Sequence, residues 1–333
     1  DTYDIYQTRG DQWDIFLPCT YTHVERELRE MPVSRLTGGV VSPTTPTSLT
    51  SSVMPSTRPS AELQTQQSLL LTPNSGQRRA IFAVDGCDRL VSKNRLWQAL
   101  VDAYGRDHAR TLMPPTYILA DPEDLKRFLQ QFDPQAMYIC KKNVQRKKGL
   151  LMTNNMDDIL RCHTQGYKII QEYITNVHTV HSHKLNLRLY VLIVCNANGG
   201  PKRAYVHTQG KCLYTAKPYS PDTLMDETSQ ITSLDTSAAL YEGSNALPLT
   251  LDDLRQHWYN ERIDYDRVMG QVHRALREVV HAVLPGMCQA SKFNNHIRFQ
   301  LFGADVLLRG DTLEPYVLEL NKGPSMKPVN QAD

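Results

Sequence analysis

The spacing of apolar and polar residues changes along the chain, and each spacing predicts an element. Trp13, Ile15, Phe16 and Leu17 read as a short strand, and Val24 to Met31 as a charged helix. Ala80 to Val84 reads as a strand, whereas Leu90 to Tyr104 carries Leu96, Leu100 and Tyr104 at the spacing of one helical face. Beyond Pro114 and Pro115, Tyr117 to Ala120 is extended, and Asp121 caps a helix through Phe132 with Pro122 in its first turn. From Met137 the pattern becomes strand, basic loop, short strand (Gly149 to Met152), helix (Met156 to His163) and strand (Tyr167 to Tyr173). Alternation of this kind indicates an α/β layer rather than a helical bundle. Leu185 to Cys195 predicts a long apolar strand, followed by a turn at Asn198-Gly199-Gly200-Pro201 into Ala204 to His207. Gln209-Gly210 marks a second turn before Cys212 to Ala216, so two hairpins are expected. Leu249 to Leu284 reads as helical, and Arg298 to Leu308 with Tyr316 to Asn321 forms a last hairpin around Arg309-Gly310-Asp311.

One region breaks the pattern. From Ser42 to Ser60, fifteen of nineteen residues are Ser, Thr or Pro, too polar to form a packed core, and 33–78 reads as an insertion or linker. Elsewhere, 41% hydrophobic residues in a 333-residue chain suffice for two or three packed subdomains. The longest apolar run, Leu189 to Cys195, is far shorter than the ~20 residues that span a bilayer, so no membrane partner is expected. The first twenty residues hold Asp1, Asp4, Asp11 and Asp14 and lack a secretory apolar core. Seven cysteines without a CxxC pair point to reduced core thiols. A net charge of +2 leaves the choice of partner to local charge.

Local chemistry concentrates in three places. In the last hairpin, Glu319 and Asn321 share a strand face while Leu318 and Leu320 point into the core. With the turn centred near Asp311 and Thr312, Asp305 falls opposite Glu319. Two carboxylates and an amide oxygen then converge, as a magnesium ion with phosphate and water requires, and removing one acid is expected to relieve repulsion. The alternative is a pair of solvent-facing acids. The second place is the strand ending at Lys141, followed by a loop in which five of the eight residues from Lys141 to Lys148 are basic. This run suits nucleotide phosphates or an acidic macromolecule. The third is Lys184, Asn186 and Arg188, alternating with Leu185, Leu187 and Leu189. They suit phosphate or carboxylate recognition, or are simply the wet side of an amphipathic strand. His178, His181 and His183 lie close together but have no partner cluster at zinc-finger spacing.

Taken in order, these elements resemble the tubulin tyrosine ligase-like family over most of residues 80–326. Cys87 to Leu96 with Lys93, and Pro114 to Leu119, resemble the family's amino-terminal subdomain. Lys141 matches its strand-end lysine, and Gln171-Glu172-Tyr173-Ile174 the hinge that packs against adenine. Lys184-Leu185-Asn186-Leu187-Arg188 is similar to its K-F-D-L-R element, and Phe299 to Asp305 with Glu319 to Pro324 to its magnesium hairpin.

The resemblance implies an α/β (α+β) fold of ATP-grasp type, with nucleotide held in a cleft between central and C-terminal subdomains beside an N-terminal α/β subdomain. On this reading 1–32 and 79–135 form the N-terminal part, 136–200 the central subdomain and 201–333 the C-terminal one, the family's final helix being absent as in a fragment. The implied cofactors are ATP and Mg2+: Lys141, Lys148, Gln171, Glu172, Tyr173, Ile174 and Lys184 hold nucleotide, Asp305, Glu319 and Asn321 hold metal, and Arg188 and Asn186 serve catalysis. The implied reaction joins an amino acid to tubulin or another acidic protein tail through an acyl phosphate, in the cytoplasm or on the cytoskeleton, with nucleic acid not expected as a partner. Several positions depart from the family pattern. Lys147 replaces a loop glycine, Asn186 an aspartate and Leu213 an arginine, and Gln230-Ile231-Thr232-Ser233 stands for H-L-T-N. These departures suit either a divergent substrate or a domain that binds nucleotide without catalysis.

Overall fold

A computed structural model describes residues 80–144, 149–223, 226–233, 238–243 and 245–326, together with the backbone of Ile15 and Phe16. The Ser/Thr/Pro-rich stretch, the expected helix Val24 to Met31 and Lys147 and Lys148 lie outside the described residues.

The strands are β1 (Ile15–Phe16), β2 (Ala80–Ile81), β3 (Thr116–Ile118), β4 (Tyr138–Lys141), β5 (Leu150–Thr153) and β6 (Ile169–Glu172). They continue with β7 (Thr179–Val180), β8 (His183–Cys195), β9 (Lys202–Thr215), β10 (Thr232–Ser233), β11 (Ile297–Leu308) and β12 (Pro315–Lys322). A large sheet runs β1-β2-β11-β8-β9-β10, with β12 beside the later half of β11 and β7 beside the start of β8. A smaller antiparallel sheet runs β3-β6-β4-β5. The described residues therefore form a mixed α/β fold with two sheets and two cores.

The larger core lies where one face of the big sheet, including Leu185, Leu187, Leu189, Phe302, Ala304 and Val306, meets the helices Lys93–Tyr104, Leu251–Asn260 and Tyr265–Val283. The smaller gathers Tyr117, Phe128, Tyr138, Ile159 and Ile170 beneath the second sheet. Local chemistry starts the helices where expected. The Asp121 side chain accepts from the amides of Glu123 and Asp124, and Thr250 and Asp253 cap each other reciprocally.

Several expectations are corrected. The helix expected from Leu90 to Tyr104 breaks at Ser92, and the long one from Leu249 to Leu284 is two helices separated at Arg262, whose φ is +61°. Gln209-Gly210 is not a turn, because β9 runs unbroken through both residues. A Cβ on Gly210 would stand 2.6 Å from the Arg188 carbonyl oxygen, so glycine is needed there for close approach of two strands. Cys195, at the end of β8, and Cys288 form a disulfide rather than reduced thiols, while Cys87, Cys140, Cys162 and Cys212 are free and buried.

Candidate active site

The hairpin of β11 and β12 brings the two acids together as counting from its turn suggests. Asp305 pairs with Glu319 across the strands. The next register pair is Val306 with Val317, so Leu318 is an extra, bulged residue. The bulge corrects the expected facing of this strand: Val317 and Leu320 are fully buried in the core, and Leu318 is only half-buried. It also flips the alternation beside Glu319, a position where bulges commonly re-aim a side chain.

Asp305 lies opposite Arg188 of β8 on its other side, and Arg188 opposite Lys211 of β9. Residues directly opposite share a sheet face, so Lys211, Arg188, Asp305 and Glu319 make one charged row across four strands. Arg188 grips Asp305 with two bonds, Nε to Oδ1 at 2.5 Å and Nη2 to Oδ2 at 3.0 Å. Gly303 makes room for this reach: a Cβ there would lie 3.1 Å from Arg188 Cδ and 2.8 Å from Pro324 Cβ. Glu319 receives Lys93 Nζ at 2.9 Å and Asn321 Nδ2 at 2.9 Å. The acids are therefore not a bare repelling pair, and removing the Glu319 charge leaves Lys93, itself buried, without its counterion. Lys322 pairs with Asp88, adding a second tie between the hairpin and the helical segment that carries Lys93.

Two further lysines, Lys141 on β4 and Lys184 on β8, are bonded differently from Lys93. Lys141, at the end of β4, donates from Nζ to Gln171 Oε1 at 2.7 Å, and Gln171 Nε2 passes the chain on to Thr116 Oγ1 at 2.8 Å. Lys184 donates from Nζ to the Tyr173 hydroxyl at 2.9 Å and lies over that ring. The Tyr173 hydroxyl in turn bonds Gln230 Oε1 at 2.8 Å. Both ammonium groups are buried, and among the described residues each has only a neutral acceptor. Burial pulls Lys141 down to about 8, against the upward pull of Glu319, and Lys184 down to about 7, with Lys141 adding repulsion. The carboxyls split. Burial pushes Asp305 up against the pull of Arg188, whereas for Glu319 the opposing effect of burial is outweighed by Lys93, Asn321 and Lys141, which bring it to about 2.

Lys184, Asn186 and Arg188 are not the wet side of a strand, since none is more than 9% exposed. Asn186 Nδ2 donates to Thr232 Oγ1 at 2.9 Å, and its Oδ1 is buried without a partner among the described residues. Leu213 lies directly opposite Asn186 on β9 and is buried, so an apolar side chain faces this stretch of the site. The hinge residues divide as well. The side chains of Gln171 and Tyr173 serve the two lysines, Glu172 is half-buried with its carboxyl pushed up by burial, and Ile174 follows the end of β6 half-buried. The histidines point to separate partners. His178 accepts from Trp258 Nε1, His181 meets the Asn245 carbonyl, and His183 the Thr215 carbonyl. Among the described residues no group of three or more His, Cys, Asp or Glu is placed to hold a metal.

Leaving Lys211 aside, Lys93, Lys141, Lys184 and Arg188 stand against Asp305 and Glu319, an excess of cations that a polyphosphate carrying one divalent ion offsets. Two carboxylates and the Asn321 oxygen are hard donors of the kind magnesium takes. The residues fit a nucleotide with a divalent ion. Two members of the site, Lys93 and Lys211, carry no assignment from sequence. Lys93 is 226 residues from Glu319, and no local spacing signals that they meet.

Against known proteins, residues 74–333 match the family described as the tubulin-tyrosine ligase family. The chain is 24% identical over 230 residues to the Homo sapiens protein named Probable tubulin polyglutamylase TTLL2, covering 64% of this chain and 36% of that one. Tubulin polyglutamylase ttll-5 of Caenorhabditis elegans is 24% identical over 209 residues, 58% of this chain and 28% of that one. Tubulin monoglycylase TTLL3 of Mus musculus is 23% identical over 231 residues, 62% of this chain and 24% of that one. The chain thus spans 24% to 36% of the length of these curated relatives.

Proposed function

Since the chain belongs to the tubulin-tyrosine ligase family, we propose that it is an ATP- and Mg2+-dependent ligase of ATP-grasp type that joins an amino acid to a side chain of tubulin or another acidic protein tail. The observation that carries this reading is the pair of buried lysines, Lys141 and Lys184, whose ammonium groups have, among the described residues, only neutral hydrogen-bond acceptors, beside the half-buried carboxyls of Asp305 and Glu319. A buried cation without a counterion is costly, and an anionic ligand removes the cost.

In this proposal Lys141, Lys184 and Lys148, the last outside the described residues, bind phosphate oxygens. Asp305, Glu319 and Asn321 hold the magnesium ion, and the chain from Gln171 to Ile174 lines the adenine. When bound, MgATP supplies the terminal phosphoryl group that activates a carboxylate for attack by an amine. Arg188 bonds Asp305 through Nε and Nη2, which leaves Nη1 to orient the activated carboxylate. The unpartnered Asn186 Oδ1 is an acceptor for a hydroxyl or ammonium of the bound reactants. Burial of Lys184, Asn186, Arg188 and Lys211 limits water at this face, which protects an acyl phosphate from hydrolysis. The expected setting is the cytoplasm, in association with the cytoskeleton.

The test is ATP-dependent incorporation of labelled glutamate, glycine and tyrosine into tubulin and into a pool of cellular proteins. Incorporation that requires ATP and is lost in Glu319→Gln supports the ligase. A second reading, a nucleotide-holding structural or tubulin-binding component without catalysis, is favoured by the apolar Leu213 opposite Asn186. ATP binding with no incorporation of any amino acid selects it.

A further inference from the structure

The helix Tyr265–Val283 seats Val268, Val272, Leu276, Val279 and Val283 in the core, on the face of the large sheet opposite the charged row. Its outer face carries Arg267, Arg274 and Arg277, all exposed. At ~100° and ~1.5 Å per residue, these arginines fall within an arc of roughly 80° and a length of about 15 Å. Among the described residues none of the three has an ion-pair or hydrogen-bond partner for its guanidinium. The nearby acids are already engaged: Asp266 with Arg255 at 2.9 Å, Glu278 with His108 at 2.5 Å, and Asp264 in capping the helix.

Gly270 sits at the centre of this arc. Glycine is the costliest helix-interior residue after proline, and here the described residues give no packing reason for it. A Cβ at Gly270 would have no neighbour closer than 4.0 Å, and that neighbour is Arg274 Nη1 itself. A bare stretch of backbone rimmed by three unpaired guanidinium groups is a shallow notch that admits another main chain while offering bidentate donors to its carboxylates.

We propose that this notch is a docking site for an extended acidic segment of a partner protein, separate from the reaction site and on the opposite side of the sheet. Three arginines suit a few carboxylates, whereas a duplex presents a phosphate charge about every 1.7 Å and is gripped through many more contacts. The inference does not depend on the ligase reading, since the stripe makes no use of the nucleotide site.

The experiment is fluorescence anisotropy of a labelled octaglutamate peptide titrated with the 333-residue chain at low salt. Arg267→Glu with Arg274→Glu is expected to weaken binding by about tenfold or more. Gly270→Leu, which fills the notch and leaves the charges, is expected to weaken it several-fold while circular dichroism shows an unchanged melting temperature or a raised one. Arg95→Glu, on a different exposed helix, should leave binding as it was. Unaltered affinity in both stripe variants, or an absence of peptide binding in the parent chain, overturns the proposal. So does tighter binding of a DNA duplex that the same arginines support, which would make the stripe a nucleic-acid contact.

Discussion

The two faces of the large sheet are made by the same strands and are nearly equally buried, yet they are held together by opposite means. On β8, Leu185, Leu187 and Leu189 are fully buried against helices, while Lys184, Asn186 and Arg188 between them are 5% to 9% exposed. The first set gains from leaving water. The second contains, among the described residues, an orphaned amide oxygen and a lysine whose one hydrogen-bond acceptor is a phenol. Burial alone thus does not mark a core. A buried face that leaves its charges unmatched is a face waiting for a ligand, and its residues should respond to substitution in the opposite sense from those behind them.

The sharpest contrast is between neighbours on that strand. Leu187→Ala should cost about 2 to 5 kcal/mol of stability by cavity formation, read from urea unfolding. Lys184→Met should raise the stability of the ligand-free protein and abolish its stabilisation by ATP, because it removes an unpaired buried charge. If Lys184→Met destabilises as Leu187→Ala does, the two faces are both core and the distinction fails.

Glu319→Gln probes the carboxylate side of the same face. Lys93 depends on this acid, so the ligand-free protein should lose roughly 1 to 3 kcal/mol, and the added stabilisation by ATP with magnesium should vanish. Loss of stability with the ATP response intact would make the pair purely structural.

The lysines also set a pH dependence. Their folded values, about 8 and about 7, lie below the ordinary 10.5, so protonating them disfavours the folded state. That destabilisation is largest below about pH 7, fades as pH rises from 7 towards 10.5, and is gone above 10.5. Without ligand, thermal unfolding at constant ionic strength should therefore show stability gained between pH 7 and 9, and Lys184→Met should flatten the profile. A smaller effect is expected of Gly303→Ala, where the new methyl meets Arg188 Cδ and Pro324 Cβ. Displacing Arg188 should lower turnover more than ATP affinity, as steady-state kinetics with the incorporation assay would show.

Much of this contrast was legible in the sequence. Alternation on β8 separated leucines from polar residues, and counting outward from the turn at Asp311 set Asp305 opposite Glu319. What escaped was non-local. The union of Lys93 with Glu319 follows from the packing of a helix against a distant hairpin, and the bulge at Leu318 from competition between pairing and burial. Gly210 carries the same residue signal whether a chain turns or two strands crowd together, and only the neighbouring Arg188 carbonyl decides which. Lys184, Asn186 and Arg188 read equally as a wet face until Tyr173, Thr232 and Asp305 are seen to meet them.

The most direct test is titration calorimetry of MgATP into the wild-type chain at pH 8, repeated in two buffers of different ionisation enthalpy. If phosphates meet Lys141 and Lys184, they restore the lysines' protonation, so binding should take up protons and the uptake should fall in Lys184→Met. Proton release, uptake untouched by Lys184→Met, or no binding at millimolar MgATP would contradict the claim that this buried charged face is a nucleotide site.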